Sequence, residues 1–156
     1  MNDTFDVGQG ERKKACKGDI LNSGGLGPCI AIVIYNPKSK CAIMMHEPNW
    51  ETDNKLTEYL KEITEELGNK EDLKAFAMGN AIFSDDSEEQ RKYILGNRDY
   101  VKEELLVFLK KENITTKWLD ADYTAEMVFY TGSGKFEFDS YRMDKASDHD
   151  EYYDDD

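Results

Sequence analysis

Apolar and polar positions change their period several times along the chain, and each change marks an element. The opening "FDVGQGERKKACKGD" alternates weakly among many charges. It predicts one or two short edge strands, near residues 5–7 and 14–16. Lys17-Gly18-Asp19 reads as a turn, and the glycine-rich stretch 22–27 cannot hold a helix. "IAIVIY" and "KCAIMMH" are apolar and rich in β-formers, and "NPKS" joins them. Asn first and Pro second suit a type I turn within a four-residue hairpin loop. The period then lengthens. Leu56, Tyr59, Leu60, Ile63 and Leu67 follow helical spacing, with Gly68 as a stop. "LKAFAMG" reads as a buried strand, followed by a long connection with a helical turn at 87–91. A second helix is expected over roughly 99–112, with Val101, Leu105, Phe108 and Leu109 on its apolar side. "ITTKWLD", "AEMVFYT" and "GKFEFD" predict three more strands, the last two joined by "TGSGK". That turn is not a phosphate loop, because Phe129 stands where the leading glycine would be.

The order of elements predicts an α/β domain, with α+β as the alternative. A mixed β-sheet would hold the hairpin at its centre, with two main helices packed on it. One domain is expected over residues 1–140, followed by an acidic tail over 141–156 that reads as disordered.

The hairpin permits a register argument. With 36–39 as the loop, Tyr35 pairs with Lys40, and counting back sets Cys29 opposite His46. Facing Cβ atoms lie roughly 4.5–5.5 Å apart. Parity puts Cys29, Ala31, Val33, Ala42, Met44 and His46 on one face. Ile30, Ile32, Ile34, Cys41, Ile43 and Met45 take the other. Both faces are largely apolar, so the hairpin is expected to be covered on both sides. Cys41 falls on the isoleucine face as a small apolar filler.

Charge and cysteine content narrow the setting. A net charge of -13 disfavours nucleic acid or an anionic membrane surface as the main partner. The three cysteines, Cys16, Cys29 and Cys41, are odd in number and follow no motif. This argues against a disulfide framework and for a reducing compartment. No signal-like apolar run opens the sequence, and the longest apolar run is too short to cross a bilayer. A cytoplasmic protein without membrane insertion is expected. His149 lies in the acidic tail, which leaves His46 as the candidate base.

The chemistry that fits a facing thiol and imidazole is nucleophilic attack on a carbonyl, with the imidazole moving protons. An imidazolium neighbour would lower the thiol pKa. The N–H groups of Cys29 and of the loop Gly24, Gly25, Leu26 and Gly27 could stabilise an oxyanion; Pro28 has none to offer. Two other readings stand beside this one. Cys29 and His46 could be packing residues of a strand pair. A zinc site from Cys16, Cys29, Cys41 and His46 is disfavoured by spacing and by the opposite face of Cys41.

"GGLGPCIAIVIYNPKSKCAIMMHE" resembles the active-site hairpin of the CheD family, the chemoreceptor glutamine deamidases. Members read T-x-G-L-G-S-C, a β-run, a D/N-P-type turn, then G-x-x-H. "VGQGERKKACKGDIL", "LKAFAMGNAIF", "LGNRDYVKEELLVFLKKENI" and "GSGKFEF" are similar to further family segments, so the likeness runs from Phe5 to Phe138. Pro28 departs from the usual serine, Gly25 from a common leucine and Gly79-Asn80 from a Gly-Gly pair. "SDDSEEQRKY" reads as an insertion. The resemblance implies a CheD-like fold and conversion of glutamine side chains of a chemoreceptor-like protein to glutamate. Cys29 would be the nucleophile, His46 the base and Ser23 the third member of the triad, in place of threonine. It implies no cofactor, no metal, and a CheC-type phosphatase as a regulatory partner. Two other roles remain open: a non-catalytic binding module of the same fold, or a toxin-type deamidase with a different protein target.

Overall fold

The computed structural model describes residues 2–53 and 56–142, the side chain of residue 53 excepted. The tail from 143 onward, with His149, lies outside the described residues. The strands are β1 (Thr4–Asp6), β2 (Arg12–Cys16), β3 (Ile20–Gly25), β4 (Ile30–Asn36), β5 (Cys41–Glu47), β6 (Lys74–Gly79), β7 (Ile114–Trp118), β8 (Tyr123–Tyr130) and β9 (Lys135–Arg142). The helices are α1 (Trp50–Asp53), α2 (Leu56–Leu67) and α3 (Glu88–Phe108), with short 3-10 turns at Lys70–Asp72 and Lys111–Asn113. The class is mixed α/β, of the α+β kind.

The single sheet expected from the sequence is in fact two. One has five strands in the order β2-β5-β4-β6-β7 and the other four in the order β1-β3-β8-β9. Each is mixed, through the parallel pairs β6–β7 and β1–β3. The second strand of this sheet is β3, where the sequence showed only a glycine-rich stretch. Its ladder with β8 slips between Asn22 and Gly25, which places the glycines at an irregularity.

β4 explains the layering. All of Ile30–Asn36 is buried, so both of its faces need a cover. Ile30, Ile32 and Ile34 join Ile43 and Met45 of β5 against α2 and α3. Each such isoleucine contributes roughly 1.5–3 kcal/mol when fully buried. Ala31, Val33, Ala42 and Met44 face the second sheet through Leu21, Met127 and Phe129. The expected assignment of faces and the cover on both sides are therefore found.

The register is not the expected one. Asn36 stays in the ladder opposite Cys41, and the loop is 37–40. Asn36 holds this turn itself: its carbonyl accepts from the Lys40 N–H at 2.8 Å and its Oδ1 from the Lys38 N–H at 2.9 Å. Lys40 then adopts φ +59. The pairing shifts by two residues, so Ala31, not Cys29, faces His46. An even shift keeps every residue on its face.

α3 is also longer than expected. It begins at Glu88, so most of "SDDSEEQRKY" is helix rather than connection. Ser87 caps it, its Oγ accepting from the Gln90 N–H at 3.1 Å. Gly96 and Asn97 lie inside this helix, and both serve contacts described below. β9 continues through Tyr141 and Arg142, past the boundary placed at 140.

Cys16 and Cys41 face each other across β2 and β5 and form a disulfide. This overturns the expectation of three free thiols and of Cys41 as a filler, and weakens the argument for a reducing compartment. The pairing escaped notice because it follows from the β2–β5 register, not from spacing. The bond closes a loop with a sequence separation of 25. Reduction is expected to lower stability by about 3 kcal/mol through chain entropy. A urea midpoint unchanged by dithiothreitol would show that the bond constrains nothing.

Candidate functional site

Cys29 stands just before the first paired residue of β4, Ile30, which faces Glu47. It is 5% exposed, and His46 on β5 is 3% exposed. Both follow the parity of the face turned to the second sheet. With Ala31 opposite His46, Cys29 is its diagonal neighbour. Such pairs have Cα atoms about 7–8 Å apart and Cβ atoms somewhat closer. The directly facing pair expected from the loop count is replaced by this diagonal one.

Local bonds hold the thiol strand. The Cys29 N–H donates to the Leu26 carbonyl at 2.8 Å, closing a turn over Gly27 and Pro28. Gly27 takes φ +49, and Pro28 lies exposed where an absent N–H costs nothing. The Cys29 carbonyl accepts from the Asn80 N–H at 2.9 Å. Burial, and then the negative charge of Glu47, push the Cys29 thiol up to about 11. The lowered value expected of a thiol beside an imidazolium is therefore not found. At neutral pH Cys29 is a thiol and needs a base to remove its proton.

His46 is the candidate for that base. Its Nδ1 lies 3.0 Å from the Val7 carbonyl. A carbonyl only accepts, so Nδ1 carries the hydrogen, and in that neutral tautomer Nε2 would hold the lone pair. Nε2 is buried with no hydrogen-bond partner among the described residues. The 8–11 loop closes over the same residue: the Gly10 N–H donates to the His46 carbonyl at 2.7 Å, and the His46 N–H to the Glu11 carbonyl at 3.2 Å. The Gly8 N–H, and then Lys13, hold the Glu11 carboxyl below its ordinary value, which pins this loop.

The bonds present bear on two expected roles. Ser23 was to orient His46 by its hydroxyl or backbone carbonyl; the hydroxyl instead donates to the Gly24 carbonyl at 2.8 Å and accepts from the Met127 N–H at 2.9 Å. The group bonded to the His46 ring is the Val7 carbonyl. The loop was to offer an oxyanion hole, but four of its N–H groups are engaged. Gly24 donates to Asn22 Oδ1, Gly27 to Thr124 Oγ1, Leu26 to the Ala125 carbonyl and Cys29 to Leu26. Gly25 faces Glu126 at the end of the β3–β8 ladder. The disulfide also removes Cys16 and Cys41 as zinc ligands.

Sequence reasoning missed Val7, Glu47 and Asn80. Val7 acts through its carbonyl, which no residue type reveals. Glu47 and Asn80 come near Cys29 only through the ladder and the β6 end. No family model matches the chain, and no curated protein matches it.

Two outcomes test this geometry. At pH 8, iodoacetamide should alkylate Cys29 of the folded protein roughly two hundred times more slowly than the unfolded thiol, given ordinary thiol values near 8.5. The rate should rise up to pH values near 11; a native rate equal to the unfolded one would refute the buried, neutral thiol. Ser23→Ala strands the Met127 N–H and should cost about 1–3 kcal/mol of stability, measured by denaturant unfolding. An unchanged midpoint would mean that this hydroxyl is not needed there.

Proposed function

We propose that the chain is a protein-glutamine deamidase of the kind the CheD resemblance implies. One observation carries the reading: a buried imidazole whose Nε2 has no partner among the described residues shares a sheet face with a buried thiol diagonal to it. Histidine nitrogens buried for packing alone ordinarily find partners.

In this reading Cys29 Sγ attacks the carboxamide carbon of a glutamine side chain while His46 Nε2 takes the thiol proton. The tetrahedral intermediate collapses, the C–N bond breaks, and His46 returns the proton to the departing ammonia. Water then attacks the thioester, giving its proton to His46. The C–S bond breaks, the thiol recovers that proton, and glutamate is left. The high thiol pKa suits proton transfer during attack rather than a standing thiolate. Stabilising the oxyanion requires freeing the Cys29 N–H from Leu26 by rotation of the Pro28–Cys29 peptide.

A chemoreceptor-like protein is the substrate this resemblance suggests, with a CheC-type phosphatase as partner and the cytoplasm as location. No described helix is long and apolar enough to cross a membrane. The engaged loop amides favour a second reading, a binding module that keeps the fold without turnover.

The discriminating experiment incubates the protein with receptor-derived glutamine peptides and follows ammonia release and amide-to-acid mass gain. Turnover is expected, Cys29→Ala should abolish it, and His46→Gln should lower kcat by roughly 10²–10⁴-fold. Turnover that survives Cys29→Ala would refute the mechanism. No turnover on receptor or unrelated glutamine proteins would favour the binding module.

A further inference from the structure

The β4–β5 ladder ends at the pair Ile30–Glu47. Cys29 lies one residue outside it, so β5 does not set its position. The bonds that do so lead to one turn of α3.

On the thiol side, the Cys29 carbonyl accepts from the Asn80 N–H at 2.9 Å. Gly79 packs so close that a Cβ there would meet this carbonyl at 2.4 Å. Asn80 is fully buried and holds φ +68, a conformation that glycine adopts at lower cost. Its side chain is fully used: Nδ2 donates to the Ile94 carbonyl at 2.7 Å, and Oδ1 accepts from Arg98 Nε at 2.9 Å. Arg98 Nη2 reaches the Asn80 carbonyl at 3.4 Å, and the guanidinium stacks over Trp118 at 5.3 Å.

On the imidazole side, the chain leaves β5 through Pro48. Asn97, 1% exposed, donates from Nδ2 to the Pro48 carbonyl at 3.0 Å and accepts at Oδ1 from the Glu51 N–H at 2.8 Å. Gly96 makes room for Glu51, whose Oε1 would lie 2.5 Å from a Cβ there. Neighbouring residues of α3 thus hold the end of the His46 strand and, through Asn80, the carbonyl of Cys29.

We propose that Asn80, Asn97 and Arg98 are positioning residues that set the spacing of Cys29 and His46 by tying both strand ends to one turn of α3. Its kinetic consequence rests on the deamidase reading; its structural content does not. Thiol and imidazole both stand at the margin of the ladder, where strands fray. A shift of about 1 Å at such a pair can cost on the order of 10²-fold in rate.

Asn80→Gly is the principal test. Glycine accepts φ +68 and keeps the N–H bond to Cys29, so only the bridge to Arg98 and Ile94 is lost. Iodoacetamide alkylation of Cys29 is followed against pH at a temperature where circular dichroism shows the variant folded. The expected result is a roughly tenfold or greater rise in rate at pH 8, as the thiol gains water and its value falls toward the ordinary one. Arg98→Ala should do the same, and Arg98→Lys, which restores one donor to Asn80 Oδ1, should recover part of the wild-type profile. Wild-type profiles in both Asn80→Gly and Arg98→Ala would overturn the proposal. Where turnover is measured, kcat should fall about tenfold or more in Asn80→Gly and Asn97→Ala with KM within about twofold. Unchanged kcat in both would also overturn it. A wild-type protein without turnover whose variants still change alkylation would refute only the deamidase reading.

Discussion

β4 is buried along its whole length and on both faces, and this constraint orders the rest of the molecule. A strand in that position needs a partner layer on each side, since neither row of side chains can face water. α2 and α3 cover the isoleucine row, and β3 and β8 cover the row of Ala31 and Val33. The thiol and the imidazole belong to the second row, at the end of the ladder. Both are buried there, beside the turn at 26–29 and the loop at 8–11. The thiol's raised pKa follows first from that burial.

Parity was legible in the sequence, and register was not. Which hairpin residues share a face depends only on counting by twos, and a shift of two leaves it intact. Which residues oppose each other depends on one turn, and Asn36 decided it by serving both as a strand residue and as the acceptor for Lys38 and Lys40. The start of α3 was legible only as a helical turn at 87–91, separate from the helix expected from 99. Its first turns carry charged residues on exposed positions and little apolar period, so nothing joined the two segments. Gly96 and Asn97, between them, are held by tertiary contacts with Glu51 and Pro48. The Cys16–Cys41 bond and the role of Val7 depend on strand neighbours distant in sequence, which composition and spacing do not encode.

The candidate pair combines two features that pull in opposite directions. Glu47 and burial disfavour a thiolate, while the Val7 carbonyl fixes the tautomer that can generate one. A thiol of this kind is inert toward stray electrophiles and oxidants, which react with thiolates. In the proposed reaction, reactivity would depend on a substrate that brings its carbonyl carbon to the sulfur while His46 removes the proton. Such an arrangement would give selectivity through geometry instead of through a standing nucleophile.

Pro28 bears on the same point. Beside Gly27 at φ +49 it fits the turn that joins Leu26 to Cys29, and its ring fixes the torsion just before Cys29. The residue before a proline is sterically restricted, and glycine meets that restriction without strain. Serine at this position would add an N–H donor to the loop; proline withholds it. With the amides of Gly24, Leu26 and Gly27 bonded elsewhere, the proposed reaction would draw on the Cys29 N–H, itself bonded to Leu26, for an oxyanion on the attacked carbonyl. The turn that Pro28 stiffens is the one that must yield for that donor to act. The departure from the serine of the CheD pattern thus falls on the element that would control charge stabilisation, and leaves the proton-transfer pair itself untouched.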